Sequence, residues 1–201
     1  TSYVQFSVGE PGLLSLPERP IILLKKRKNC DEALPGVAPE LPWLGVLLPF
    51  SPIHYLLFHE AVERPAGTEW LDKAQDLALL MSSGNPGREP PAIDNDEALA
   101  RVSGIADAFL IHDREIVNRC DDSIACSGPG GLQLIRRARG YTPRGIKLPH
   151  SGPPILAVGG EVKNAICVTR GDEAFVSQYL GELTNPAACA YFEETIAHLL
   201  K

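Results

Sequence analysis

Residues 81–90, Met-Ser-Ser-Gly-Asn-Pro-Gly-Arg-Glu-Pro, follow the apolar run Leu77-Ala78-Leu79-Leu80. A buried strand emptying into such a turn sets Ser82, Ser83 and Asn85 where hydroxyl, amide and backbone donors converge on a phosphate or a carbonyl. The same residues also suit a plain turn cap, and local sequence alone does not separate the two readings. A second group is cationic. Arg136, Arg137, Arg139, Arg144 and Lys147 fall in a stretch without acidic residues that runs from Ser123 to Ser151. Forked guanidinium contacts of this kind suit a small anion better than a long polyanion. Strand alternation puts Arg137 and Arg139 on one face and Arg136 on the other, so one subset at most enters a cleft. Arginines along a strand also discourage edge-to-edge aggregation without any ligand. Asp121-Asp122-Ser123 offers hard oxygens to a magnesium ion carried by a triphosphate. Beside Arg114 and Arg119, the same pair also reads as a structural ion-pair cluster. His54 and His112 lie near apolar runs, where packing histidines are common, and no nucleophile, base and orienting acid occur together.

The chain must supply elements that bring these groups together. Its 201 residues allow one domain with length left for part of a second, and its apolar content of 44% is that of a globular protein. No apolar stretch reaches the length of a membrane helix. Residues 1–4, Thr-Ser-Tyr-Val, show neither a basic start nor an apolar core of a secretory signal. The five cysteines form no Cys-x-x-Cys pair, so reduced thiols in the cytoplasm are expected, with neither a disulfide framework nor a standard metal spacing at Cys120 and Cys126. A net charge of -6 argues against a broad nucleic-acid face.

Residues 20–24 read as a strand ended by Lys25-Lys26-Arg27-Lys28, residues 29–43 as a Pro-containing loop, and residues 44–48 as the next strand. A helix over 53–61 is expected behind Ser51 and Pro52. Residues 77–81 read as a strand and 96–102 as a helix capped by Asp94 or Asn95. Residues 108–112 and 132–137 read as strands, the latter after a turn at Gly128-Pro129-Gly130-Gly131. The alternation predicts an α/β domain with a mixed sheet. Breaker-rich residues 142–153 then read as a linker around one short extended piece. Strands at 155–158 and 165–169 follow, and a helix opens at Asn185-Pro186 and runs toward Lys201. Its apolar side, Phe192, Ile196 and Leu199, is expected to lean on the first domain or on another copy, or to stay partly exposed, because two short strands and a helix do not close a core.

The three segments 81–90, 113–123 and 136–141, in that order, resemble the YrdC-like domain of the HypF carbamoyltransferase family. Residues 44–58 resemble the family's strand, Pro turn and helix. Ser82 stands where wider YrdC-type synthases carry Thr, one hydroxyl replacing another. Residues 154–164 and 175–178 resemble the opening of the sugar-kinase/actin-like transferase domain that follows in those proteins.

The resemblance implies a YrdC-like twisted mixed sheet with flanking helices over residues 1–141, a linker at 142–153, and the first elements of the transferase fold at 154–201. It implies a carbamoyl relay in the cytoplasm, in which ATP and carbamate derived from carbamoyl phosphate give carbamoyl adenylate. The carbamoyl group then passes to the C-terminal cysteine of HypE, the source of the cyanide ligand of nickel-iron hydrogenases. Under this reading Ser82, Ser83, Asn85, Arg137 and Arg139 bind ATP, and Asp121 and Asp122 hold magnesium. Zinc belongs to parts of the longer protein outside this chain, as do the acylphosphatase-like region and the transferase domain's histidine motif. The Lys-x-Arg-Pro segment by which YrdC-type domains grip substrate has no counterpart. Lys25-Lys26-Arg27 ends a strand that should follow that segment, so the role is not transferred. Two other classes stay open: a threonylcarbamoyl-adenylate synthase of tRNA modification, and a non-catalytic docking fragment.

Overall fold

The computed structural model describes residues 2–87 and 89–201. Arg88, part of the turn singled out above, lies outside the described residues, as does Thr1. The elements in chain order are β1 (Val4–Gln5), α1 (Glu10–Leu14), β2 (Ile21–Lys26), α2 (Cys30–Ala33), β3 (Trp43–Val46), α3 (Pro52–Ala61), α4 (Asn95–Val102), β4 (Ile124–Gly128), β5 (Gly131–Arg136), β6 (Ile146–Gly152), β7 (Leu156–Ala157), β8 (Cys167–Val176) and α5 (Pro186–Leu199).

The strand β2 organises the first sheet. It pairs antiparallel with β1 and β3 and parallel with β4, which in turn forms a hairpin with β5. The mixture of parallel and antiparallel pairs is that expected of a mixed sheet. Alternation along β2 sends Ile22 and Leu24 into the core with Val4, Leu14 and Ala125, and Leu44, Val46, Leu132 and Leu134 pack around them. Lys26, next on that face, is buried yet satisfied. Its ammonium donates to Asp31 Oδ1 at 2.5 Å and to the carbonyls of Ala38 at 2.6 Å and Val37 at 3.3 Å, which offsets the cost of desolvating a charge.

The second sheet has the order β6, β8, β7, all antiparallel. Against it lies α5, started by Asn185, whose side chain accepts the Ala188 amide at 2.9 Å. Phe192, Ile196 and Leu199 pack on Ile166, Leu180 and Tyr191. The apolar side of this helix is thus half-covered by its own segment of chain and stays partly exposed, one of the three outcomes expected for it. The cover comes from Ile166 just before β8 and Leu180 after it, together with Tyr191 of α5 itself.

Several expected elements take other forms. Residues 77–81 and 108–112 are irregular and have no ladder partner, and Leu80 and Leu110 are 79% and 78% exposed. An apolar run becomes a strand only beside an edge that accepts its hydrogen bonds, and neither run meets one. The expected loop at 29–43 contains α2, and β4 had no counterpart in the sequence reading. Ile146–Gly152, inside the expected linker, is strand β6 of the second sheet. Asp94 caps α4 as expected, accepting the Glu97 amide at 2.7 Å. Ser51 has the extended backbone of a cap at α3, but its side chain makes no capping bond.

Candidate functional site

A cleft of about 280 Å³ opens where the two sheets' territories meet. Its lining combines one wall from the turn after residue 81, with Ser83, Asn85, Glu89, Pro90 and Pro91, a second from Tyr179, Gly181, Glu182 and Tyr191, and the two charged residues Asp121 and Arg136. Ser82 is exposed and does not line the cleft, so the structure gathers only two of the three expected turn residues.

Asn85 shapes the turn. Its side-chain amide donates to the carbonyls of Pro86 at 2.9 Å and Glu89 at 2.6 Å, and its backbone amide donates to Ser83 O at 3.1 Å. Its Oδ1 is buried and has no partner among the described residues. An unmet acceptor of this kind costs about 1–3 kcal/mol and gains from a ligand donor. Behind the turn, the Arg101 guanidinium donates to Glu89 Oε2 at 2.8 Å and Pro90 O at 2.9 Å. Arg119 donates to Pro91 O at 2.8 Å. Glu97 pairs with both arginines. Burial alone would raise the Glu97 carboxyl, but the Ile93 amide and the two arginines outweigh it and hold the group below the usual carboxylate range.

Of the two arginine subsets that alternation separates, Arg136 enters the cleft, while Arg137 and Arg139, the pair expected to bind ATP, do not line it. β5 ends at Arg136, and the chain turns at 137–141, so the parity of a continuing strand does not apply. Arg136 is the cleft cation, its guanidinium 4.6 Å from the centroid of the Tyr179 ring. Arg137 turns away to three carbonyls, Val176 at 2.9 Å, Tyr141 at 2.6 Å and Arg144 at 2.7 Å, and so ties the first sheet's end to β8. Arg139 donates to Asp122 Oδ1 at 2.7 Å and to the carbonyls of Glu18 at 3.0 Å and Arg19 at 2.9 Å, and it sits 3.5 Å from the centroid of the Phe50 ring.

The acidic pair is divided. Asp122 is engaged by Arg139, while Asp121 faces the cleft, where burial raises its carboxyl above the usual range against the pull of Arg136. Arg119 does not join that pair; its partners are Glu97 and Glu194. Arg114 is exposed. Among the described residues no group of three or more His, Cys, Asp or Glu is arranged to hold a metal. All five cysteines are free thiols. Sequence reasoning did not flag Glu89, Tyr179, Glu182 or Tyr191. For Tyr191 a signal existed: Ala188, Tyr191 and Thr195 follow helical spacing, and all are buried. The cleft thus offers a hydroxyl, an amide, one stacked guanidinium and the half-buried Asp121 carboxyl, beside Glu182 and the Arg101-paired Glu89, a set able to bind and orient a phosphate ester.

A family model described as telomere recombination, covering Sua5, YciO and YrdC proteins, matches residues 2–138. The chain belongs to this YrdC-like family. A model for the HypF Kae1-like domain matches residues 150–201, so the junction of the two domains lies within the chain. Carbamoyltransferase HypF2 of Cupriavidus necator is 58% identical over 195 residues, which cover 95% of this chain and 24% of that protein. Carbamoyltransferase HypF of Rhizobium leguminosarum is 42% identical over 191 residues, again 95% of this chain and 24% of the relative. The chain therefore spans about a quarter of the length of the curated relatives it matches.

Solved structures agree on the fold. The chain superposes with a TM-score of 0.85 on full-length HypF in its phosphate- and nucleotide-bound form, at 42% identity, covering 99% of this chain and 29% of that one. On HypF of T. kodakarensis the TM-score is 0.82 at 33% identity, covering 98% and 24%. The architecture is a YrdC-like mixed α/β domain followed by the start of the next domain. No helix among the described residues is long and apolar enough to cross a membrane.

Proposed function

We propose that this chain supplies the nucleotide-binding part of a cytoplasmic HypF-type carbamoyltransferase. In this reading an oxygen of carbamate attacks the α-phosphorus of ATP, and pyrophosphate leaves as carbamoyl adenylate forms. The carbamoyl group is then passed to the C-terminal cysteine of HypE for cyanide ligand synthesis. One observation carries the reading: Ser83 and Asn85 converge with Arg136 and Asp121 in one cleft at the border of the two matched domains. The reaction needs no side-chain nucleophile. It needs the phosphates held in line and their charge balanced, which donors and a guanidinium provide.

Within the cleft Arg136 would neutralise phosphate oxygens, and Ser83 would donate to one of them. The buried Asn85 Oδ1 would accept from an amino group of the ligand. Arg137 and Arg139, expected to bind ATP directly, would instead hold the walls. A magnesium ion on the triphosphate needs only one or two protein carboxylates, and Asp121 would supply one, since Asp122 is already engaged by Arg139. Ionisation of Asp121 would be favoured by that cation. The alternative of tRNA modification is less favoured, because residues 150–201 match the HypF Kae1-like domain and the chain carries a net charge of -6.

The test is pyrophosphate exchange into ATP, dependent on carbamoyl phosphate, in the full-length protein. Ser83→Ala and Asn85→Ala should each weaken it by roughly 1–3 kcal/mol of transition-state stabilisation. Unchanged exchange in both variants refutes the site. Titration calorimetry with ATP separates a docking fragment, which would show no heat of binding.

A further inference from the structure

We infer that Arg119 is a positioning residue that sets the spacing between the two walls of the cleft. The inference rests on the nucleotide reading of that cleft. Arg119 stands behind the cleft and touches both sides of it. Toward the turn wall, Nε donates to Pro91 O at 2.8 Å. Toward α5, Nη1 donates to Glu194 Oε2 at 3.0 Å, while the Arg119 carbonyl accepts the Tyr191 hydroxyl at 2.7 Å. The guanidinium also lies 5.5 Å from the centroid of the Tyr191 ring.

Pro91 and Tyr191 both line the cleft, so one residue fixes a point on each wall. The residue is itself held. Its side chain is 13% exposed, and Glu97 of α4 approaches Nη2 at 3.6 Å. Burial pushes the Tyr191 hydroxyl far above the tyrosine range, so it remains a proton donor to Arg119 O. Gln178 Nε2 donates to the same hydroxyl at 2.9 Å, closing the back of the second wall. A planar fork with several fixed donors can hold three directions at once, which a lysine point charge cannot.

The experiment uses the full-length protein and measures KM for ATP, kcat of pyrophosphate exchange and the melting temperature. Arg119→Gln should raise KM for ATP by about tenfold or more, with kcat within about threefold, because ground-state fit is lost and the reacting groups stay in place. Arg119→Lys should not restore KM. Glu194→Gln removes only the tether to α5 and should raise KM by about two- to fivefold. A lowered melting temperature with KM within twofold in Arg119→Gln would overturn the inference. If Arg119→Gln does not fold, an unchanged KM in Glu194→Gln, whose side chain is 62% exposed, overturns it equally. Ser83→Ala runs beside these variants. A normal KM and kcat in Ser83→Ala, shared by Asn85→Ala, would count against the nucleotide site itself. A defect in those two with none in the Arg119 and Glu194 variants would count against Arg119 alone.

Discussion

Asp121 and Asp122 are adjacent in sequence but live in different electrostatic settings. Asp122 is neutralised by the Arg139 fork, whereas Asp121 is half-buried against the cleft with only Arg136 to oppose the desolvation. The native state therefore holds the Asp121 proton more tightly than the unfolded chain does. Between the ordinary aspartate value and the raised one, folded protein binds more protons, so stability falls as pH rises through that window. Asp121→Asn should abolish this decline in urea midpoints measured from about pH 4 upward; an identical pH profile in both proteins would show that the carboxyl is not strained. At this scale the sequence announced the chemistry but not the assignments. Ser83 and Asn85 line the cleft, but a polar turn after an apolar run serves equally as a plain cap, so it was the wider resemblance that singled them out. Alternation separated Arg136 from Arg137 and Arg139 but did not say which subset enters the cleft, and Arg136 is the one that does. Tyr179 and Tyr191 lie far along the chain, and no local pattern links them to a turn near residue 83.

At the scale of elements, caps proved easier to read than strands. Asp94 and Asn185 mark the starts of α4 and α5 through side-chain bonds that need only local sequence. Residues 77–81 have the composition of a strand, yet a ladder needs a neighbour that composition does not reveal. The strand expected at 165–169 is only the beginning of β8, which runs through Arg170-Gly171-Asp172-Glu173 to Val176. Another turn carries a sharper constraint. Ser123 Oγ donates to Arg139 O at 2.9 Å and accepts the Ala138 amide at 2.8 Å, closing the far end of the β4–β5 pair. Next to it Gly140 adopts φ of 88°, and a Cβ there would sit 2.8 Å from Glu18 Cβ and 3.0 Å from the Glu18 backbone. Gly140→Ala should cost more than about 1 kcal/mol in chemical denaturation, from both the left-handed backbone and the clash. A loss below about 0.5 kcal/mol would mean that the Glu18 segment shifts freely.

For the whole molecule, the uncovered apolar surface dominates. α3 has no buried residue, and Leu56 is 60% exposed; Trp43, Leu80 and Leu110 add to the same total at 47%, 79% and 78%. Soluble monomers rarely show contiguous apolar patches beyond a few hundred Å². The 201-residue chain on its own should therefore self-associate in sedimentation velocity as concentration rises, and Leu56→Glu with Leu80→Glu should reduce that association. A monodisperse monomer across the concentration range would show that these residues are too scattered to act together.

The strand β6 has an implication for how such proteins are assembled from parts. Family matches end at residue 138 and resume at 150, yet β6 begins at Ile146 and finds its hydrogen-bond partners at Ala174 and Glu173. Arg137 likewise reaches from the first territory to Val176. A crossover that grafts a foreign transferase domain onto this nucleotide domain at residue 150 would split a strand between two parents. Viable chimeras should have their joints ahead of Ile146, with the recipient arginine facing a carbonyl that the donor supplies as a backbone group of any sequence. The seam is thus permissive toward side chains and strict about position, a rule that gene fusion can satisfy without matched mutations on both sides.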